Sequence, residues 1–313
     1  MNSPFEVAII GGGVSGATLA TRLSQSPTLG GKLVLLEKGR RLGGRSTVYS
    51  SPIGELPLGA PQALNHTELC DLWLEVMSNS ESAHSACLTL LSHHVSQLSF
   101  DGSQAHWSLS GEHWTREGER LPFECKARLL VLSCPPPQSL GLLQTMSLEE
   151  MLPEQKESIS RIITKISSIK MVPTWCALVS GDLSPAINSG LSLNDSAVIS
   201  KIIEVKAHSS YVIHTESKWS QAHLEWSVSE VYSKIEQTLM DLNCQGFEIL
   251  KCHRWRFAGG DTDCSQSPLY NHSLRLGLCG DMYVLGSQAN GIERAQESAH
   301  LLGIELSTSI LEI

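Results

Sequence analysis

The apolar positions of the first forty residues change period twice. Phe5–Ile10 is a short apolar run, β-branched in part, that stops at Gly11 and predicts a buried parallel strand. From Ser15 to about Gln25, Leu19 and Leu23 recur four apart with Ala17 and Ala20 beside them, which predicts a helix. Lys32–Glu37 is mostly apolar and predicts a second buried strand. The chain therefore opens as strand, glycine turn, helix, strand, which is a βαβ unit. Gly39 to Gly59, rich in Gly, Ser and Pro, predicts a loop. Helical spacing returns at Leu69, Leu72, Trp73 and Val76, and again at Cys87, Leu90, Leu91 and His94. Val95–Phe100, Ala105–Ser110 and Leu129–Ser133 predict strands, with turns at Asp101-Gly102 and Gly111. Pro135-Pro136-Pro137 ends the last of them, because proline cannot donate to a ladder.

After Leu143 the pattern shifts. Ser147 and Glu150 have the spacing of a capping box, and Ile159, Ile162, Ile163 and Ile166 form a helical stripe. Residues 171–180, 197–206 and 210–217 predict strands. Ser227 and Glu230 form a second capping box ahead of Val231, Ile235 and Leu239 on one helix face. Phe247–Phe257 and Leu276–Gly280 predict two more strands, and a helix runs from about Gly291 to Leu302.

Composition narrows the class. A chain of 313 residues makes one large domain or two ordinary ones and needs no disulfide or metal staple to fold. Its net charge of −9 lacks the footprint of a nucleic-acid binder. No apolar run reaches the roughly 20 residues that span a bilayer, and Met-Asn-Ser-Pro-Phe-Glu, with no basic region leading into a long apolar stretch, is not expected to be a signal peptide. The nine cysteines are scattered, odd in number and without Cys-x-x-Cys, which predicts reduced thiols in a cytoplasmic protein. No metal site is predicted. His93 and His94 cannot face one ligand on a helix, and His106 and His113 lack a partner at zinc spacing. Trp175, Trp219, Trp226 and Trp255 fit a core, with Trp175 and Trp255 the candidates for a pocket wall. Arg254 and Arg256 suit either a phosphate-bearing substrate or a solvated strand face.

One constellation carries chemistry. Gly11-Gly12-Gly13-Val14-Ser15-Gly16 follows a strand and opens a helix, and Glu37 ends the next strand, about 20 residues on. Gly11 allows the tight turn, Gly13 allows a pyrophosphate close to the backbone, and Gly16 lets the helix pack on the sheet. The free N–H groups of Val14, Ser15 and Gly16 attract phosphate. Glu37 can accept both hydroxyls of a ribose, and it would repel a 2′-phosphate. Next come Lys38 and then Arg41-Leu42-Gly43-Gly44-Arg45, in which two glycines permit close approach and two arginines can neutralise a pyrophosphate. Near the other end, Leu278-Cys279-Gly280-Asp281 is followed by Gly286-Ser287-Gln288-Ala289-Asn290-Gly291-Ile292-Glu293, where Asn290 and Glu293 could cap a helix.

At these residues the sequence resembles the glutathione-reductase-type FAD family and, within it, the amine-oxidase and renalase branch. The likeness extends to Tyr211-Val212-Ile213-His214-Thr215 and Lys251-Cys252-His253-Arg254-Trp255-Arg256. It implies an α/β fold: an FAD-binding Rossmann-like domain with an inserted α+β substrate lobe. The two motif-bearing ends must meet at one FAD, so residues 1–145 and 259–313 are expected to form the FAD domain and 146–258 the lobe. The residues implied at the cofactor are Gly11, Gly13, Val14, Ser15, Gly16, Glu37, Lys38, Arg41, Gly43, Gly44, Arg45, Gly280, Asp281, Asn290, Gly291 and Ile292. The FAD is expected to be non-covalent, because the loop Gly286–Gly291 holds neither Cys nor His.

The implied activity takes a hydride from a small planar donor, a dihydronicotinamide or an amine, and passes electrons to oxygen or a quinone. No second G-x-G-x-x-G occurs in a βαβ context, so the donor must reach the flavin directly. No catalytic side chain is assigned, since the cofactor carries the hard chemistry. The sequence departs from the family after Leu58-Gly59-Ala60, where Pro61 leads almost at once to the helix near Leu64, and Pro57 replaces a frequent acidic residue. A second reading therefore stays open, that of a non-catalytic flavin- or nucleotide-binding protein without part of its substrate wall.

Overall fold

A computed structural model describes residues 3–26, 29, 32–51, 54–59, 87–149, 151–188, 197–205, 209–260, 269–284 and 291–310. By packing, the chain divides into one unit of Met1–Gly44, Asp71–Lys170 and Asp261–Ile313 and a second of Arg45–Cys70 and Met171–Gly260.

The first unit begins with strand β1 (Phe5–Ile10), helix α1 (Val14–Ser24) and strand β2 (Leu33–Leu36). All four residues of β2 are buried, as in a parallel strand covered on both faces. In the second unit β3 (Val48–Ser51) and β4 (Gly54–Pro57) pair as a hairpin, inside the segment expected to be loop. The chain re-enters the first unit with β5 (Cys87–Leu90), β6 (His93–Asp101), β7 (His106–Trp114) and β8 (Arg120–Leu132). The helix expected over Cys87–His94 is therefore two strands. Cys87–Leu90 pairs in parallel with Leu33–Leu36, and that ladder overrides the helical spacing. The turn expected at Gly111 is also replaced by strand: Gly111 lies between Val95 and Phe123, and a Cβ there would strike the His94 carbonyl. The helix expected over Leu69–Val76 lies outside the described residues.

Helices α2 (Pro136–Leu143) and α3 (Pro153–Ser167) follow. Helix α3 starts at Pro153, after the expected Ser147 box; Gln155 Oε1 accepts the Leu152 N–H at 2.9 Å. Ile159, Ile162 and Ile166 are buried along its inner face. The second unit continues with β9 (Met171–Ser180), α4 (Ser184–Asn188), β10 (Ile199–Val205), β11 (Ser210–Thr215), α5 (Ser217–Ala222), α6 (Val228–Asp241) and β12 (Glu248–Gly260). The Ser227–Glu230 capping box opens α6 as the sequence predicts. The first unit closes with β13 (Leu269–Asn271), β14 (Leu276–Leu278) and α7 (Gly291–Ile310).

In the first unit β14, β8, β1, β2 and β5 lie side by side in parallel, β13 pairs antiparallel outside β14, and β6–β7 form an antiparallel meander onto the start of β8. Leu19, Leu23, Val131, Leu302 and Leu306 are fully buried in its core. The second unit is a four-stranded sheet in the order β10-β11-β9-β12. Trp175, Val179, Ile213, Ile235 and Leu239 fill one core, and Leu56 and Leu58 pack with Leu178 and Val212 in another. This division differs from the one drawn from sequence at residues 45–70, 146–170 and 259–260. Residues 45–70 fall to the second unit, where Leu56 and Leu58 find their apolar partners, and α3 falls to the first, where Gln155 is buried and reaches the Gly102 carbonyl.

Candidate cofactor-binding site

The parallel strands β1, β2 and β8 end together, and the glycine turn is built there. Gly11 has φ +108°, and a Cβ on it would come within 2.9 Å of the Ser133–Cys134 peptide that continues β8. At Gly16 a Cβ would collide with the Gly11 carbonyl oxygen, so only glycine lets α1 pack against the turn. Gly13 is different. Its φ of −70° suits any residue, and no protein atom lies within 4 Å of its Cβ direction. Gly44, exposed at φ +53°, brings its Cβ direction to 3.4 Å from Gly13 Cα, and the Gly43 N–H donates to the Gly12 carbonyl at 2.6 Å. Gly13 and Gly44 thus expose a patch of bare backbone beside the first turn of α1.

That first turn carries no acidic residue, and Gly13 offers no side-chain cap. The N–H groups at a helix start have no partner within the helix and carry its positive end. The half-buried Glu37 carboxylate stands at the end of β2. Its Oε2 accepts the Gly12 N–H at 2.7 Å and its Oε1 the Gly39 N–H at 2.6 Å. A carboxylate has about four acceptor positions, so these two bonds leave room for two ribose hydroxyls. Lys38 and Arg41 are exposed nearby in the chain. Arg45 begins the second unit and donates Nη1 to the Ala258 carbonyl at 2.6 Å.

At the C-terminal motif Gly280 has φ +155° and donates its N–H to Ser298 Oγ at 3.0 Å. Asp281 is 7% exposed, and a Cβ on Gly291 would lie 3.5 Å from its Oδ2, so this carboxylate sits against the start of α7. Ile292 is buried, which leaves only its backbone for a ligand. Asn290 lies outside the described residues. Bare glycine backbone, an uncapped helix start and a carboxylate with spare acceptor positions fit the phosphates and ribose of a dinucleotide such as FAD.

Ser133 joins the site although its sequence position marks it only as a strand end. Its Oγ lies 2.8 Å from Ser15 Oγ, so the Ser15 hydroxyl is turned into the protein. Cys279, fully buried at the end of β14, reaches the same two hydroxyls; burial pushes its thiol up to about 12. The signal that could have found Ser133 is its place just past an all-apolar stretch of β8, Leu129–Leu132, in a parallel sheet.

The two tryptophans separate. Trp175 does not line a pocket: it is 1% exposed in the helix-side core, with Nε1 donating to the His223 carbonyl at 3.2 Å. The guanidinium of Arg254 lies 5.5 Å from its ring centre. Trp255 is half-buried and donates Nε1 to the Leu58 carbonyl at 3.2 Å. Arg256 pairs with Glu225 at 2.7 Å and holds that carboxylate below its ordinary value. The histidine pair set aside for helical geometry also changes, because on β6 His93 stacks on His113 at 5.0 Å across the ladder.

Comparisons with known proteins agree with this geometry. Residues 9–71 match the family model described as an NAD(P)-binding Rossmann-like domain. Curated proteins give no match. Among solved structures, the chain is similar to putrescine oxidase bound to putrescine at 11% identity and TM-score 0.59, over 99% of this chain and 100% of that one. It is also similar to p-nitrophenol 4-monooxygenase from Pseudomonas putida, at 11% identity and TM-score 0.55, over 100% and 81% of the two chains. An oxidoreductase from Methanosarcina mazei aligns at 10% identity and TM-score 0.58, over 96% and 99%. At such identities the likeness establishes the fold. The chain has a mixed α/β fold with a parallel Rossmann-like sheet, shared with these three proteins.

Proposed function

We propose that this chain is an FAD-dependent oxidoreductase of the renalase and amine-oxidase type, with the FAD held non-covalently. The observation that carries the reading is the bare backbone of Gly13 and Gly44 beside the uncapped start of α1, with Glu37 at the end of β2. The N–H groups of Val14, Ser15 and Gly16 would take the pyrophosphate, and Glu37 the adenosine ribose. Asp281 and the start of α7 would take the opposite end of the cofactor, where the positive helix end favours negative charge. Bound FAD would supply hydride acceptance and the onward transfer of electrons to oxygen or a quinone. The donor class is a small planar molecule, a dihydronicotinamide or an amine. The putrescine oxidase and monooxygenase likenesses support oxidoreductase chemistry on this fold.

Purified protein should be yellow, with bands near about 375 and 450 nm as flavins show. Denaturation should release all of the colour. Colour retained on the precipitated chain would contradict non-covalent binding. Anaerobic mixing with 2- and 6-dihydro isomers of NAD and with putrescine should bleach the flavin. Full FAD occupancy without bleaching by any of these donors would overturn the enzyme reading in favour of a non-catalytic flavin-binding protein.

A further inference from the structure

We propose that Ser133 is a positioning residue for the phosphate-binding turn: by holding the Ser15 hydroxyl behind the first turn of α1, it leaves that turn's N–H groups to a diphosphate. The inference rests on reading this turn as a nucleotide site. It starts from how much of the turn meets this one residue. The Ser133 N–H donates to the Ile10 carbonyl at 2.8 Å. The Ser133 carbonyl carbon and oxygen lie 2.9 and 3.0 Å from where a Gly11 Cβ would be. Its Oγ lies 2.8 Å from Ser15 Oγ and 2.9 Å from the Cβ direction of Gly16. Ser133 therefore abuts the turn at Gly11, Ser15 and Gly16. Glycine at 16 makes room for the Ser133 hydroxyl as well as for the Gly11 carbonyl.

The chemistry of serine at a helix start gives this bond its consequence. A serine hydroxyl there readily accepts from the free N–H groups of its own turn, in competition with a ligand. Ser15 is 5% exposed and Ser133 8%, and buried hydroxyls are held by their partners. With Ser15 committed to Ser133, the backbone N–H groups alone face an incoming phosphate. Without Ser133, the Ser15 hydroxyl would keep only the Cys279 thiol, a weaker partner than a hydroxyl, and would turn to those N–H groups or leave the turn unfixed; either outcome weakens phosphate binding.

The test measures binding of FAD, ADP and adenosine by titration calorimetry to wild type, Ser133→Ala, Ser15→Ala and the double variant, each freed of bound cofactor. Ser133→Ala is expected to weaken FAD and ADP about tenfold and leave adenosine, which has no phosphate, unchanged. Because the Ser15 hydroxyl is itself the competing acceptor, Ser15→Ala should lose less than Ser133→Ala. The double variant should match Ser15→Ala. A merely structural role would move adenosine together with ADP. Equal ADP affinity in wild type and Ser133→Ala, equal losses for ADP and adenosine, or losses that multiply in the double variant would each overturn the proposal. If Ser133→Ala fails to fold, Ser133→Thr, which keeps a hydroxyl, must retain ADP affinity for the proposal to stand. A wild type that folds but binds neither FAD nor ADP refutes the nucleotide reading, and the proposal falls with it. Binding that is insensitive to Ser133 refutes the positioning role alone.

Discussion

Glu37 and Gly12 are hydrogen-bonded across 25 residues of chain: the carboxylate Oε2 accepts the Gly12 N–H at 2.7 Å. The acidic residue that the dinucleotide fingerprint reserves for a ribose thus also fastens the glycine turn to the end of β2. Its second oxygen holds the Gly39 N–H, which shapes the loop leading to Gly43 and Gly44. One side chain joins both glycine segments of the candidate site before any ligand arrives, and a Cβ on Gly12 would crowd it, meeting the end of the Leu42 side chain and lying 3.0 Å from Glu37 Cβ.

Glu37→Gln tests both roles at once. A carboxamide offers one acceptor oxygen and an NH2 group that would face an N–H. One of the two backbone donors therefore loses its partner, at a cost of about 1–3 kcal/mol. Urea denaturation should show the loss in the absence of cofactor, and bound flavin should fall further than stability alone accounts for. An unchanged midpoint with full flavin content would refute both roles.

Gly13 and Gly16 should separate ligand binding from folding. At Gly13 an added methyl meets no protein atom and the backbone is ordinary, so Gly13→Ala should cost only the poorer N-cap, about 1 kcal/mol or less. It should nevertheless lose cofactor, because the methyl would stand where the proposed site brings a phosphate to the backbone. Gly16→Ala drives its methyl into the Gly11 carbonyl and should cost about 1–3 kcal/mol or more in the cofactor-free protein. The reverse ranking in thermal melts would contradict the assignment of these two glycines.

The tryptophans give a second contrast, within the second unit. Trp175→Ala empties a fully buried site and should destabilise by about 3–5 kcal/mol. Trp255→Phe keeps an aromatic ring but loses the N–H-bearing half of the indole and its bond to the Leu58 carbonyl, for about 1 kcal/mol. Chemical denaturation followed by far-ultraviolet circular dichroism would compare them. A Trp175→Ala protein as stable as Trp255→Phe would show that Trp175 is not part of that core.

The legible parts of this chain were those where local pattern and global fold demand the same thing. The strand at Phe5–Ile10 and the capping box at Ser227 and Glu230 stand where the sequence predicts them. The glycine roles at Gly11 and Gly16 were legible because steric exclusion at a turn is a property of the motif itself. Cys87–Leu90 departs from the expected helix because its spacing is also compatible with a strand buried beside β2, and only the partner decides. For Ser133 the sequence shows the place, just past the apolar end of β8, but not the role, for a related reason. Its importance comes from a bond across 118 residues to Ser15, and nothing within its own stretch of chain reports that neighbour. For Trp175 the sequence admits both a core and a pocket wall, because a strand position alone does not say which face is covered; the helices packed on that face settle it as core.

The second unit should lose stability in mild acid through His214. This imidazole is 7% exposed, opposite Lys201 on β10. Burial holds it below its ordinary value of about 6.5, a hydrogen bond with the Gly59 backbone opposes that shift, and the Lys201 charge adds to it. The folded state therefore takes up the proton at lower pH than the unfolded chain does. Where the unfolded chain binds more protons, stability rises with pH. The contribution is thus fully present above about 6.5 and is lost as pH falls from there toward the lowered folded value. His253 is shifted the same way, first by burial and then by Lys251 and Arg254. Glu225 is also depressed, by Arg256, but it acts only in the carboxylate range and so does not contribute near pH 6. Melting temperatures between pH 8 and 5 should fall more steeply in wild type than in His214→Gln, which cannot take the proton. His253→Gln should flatten the curve less, because His253 is only half-buried. Parallel curves for wild type and His214→Gln over this range would mean that His214 is not the group protonated on acid unfolding.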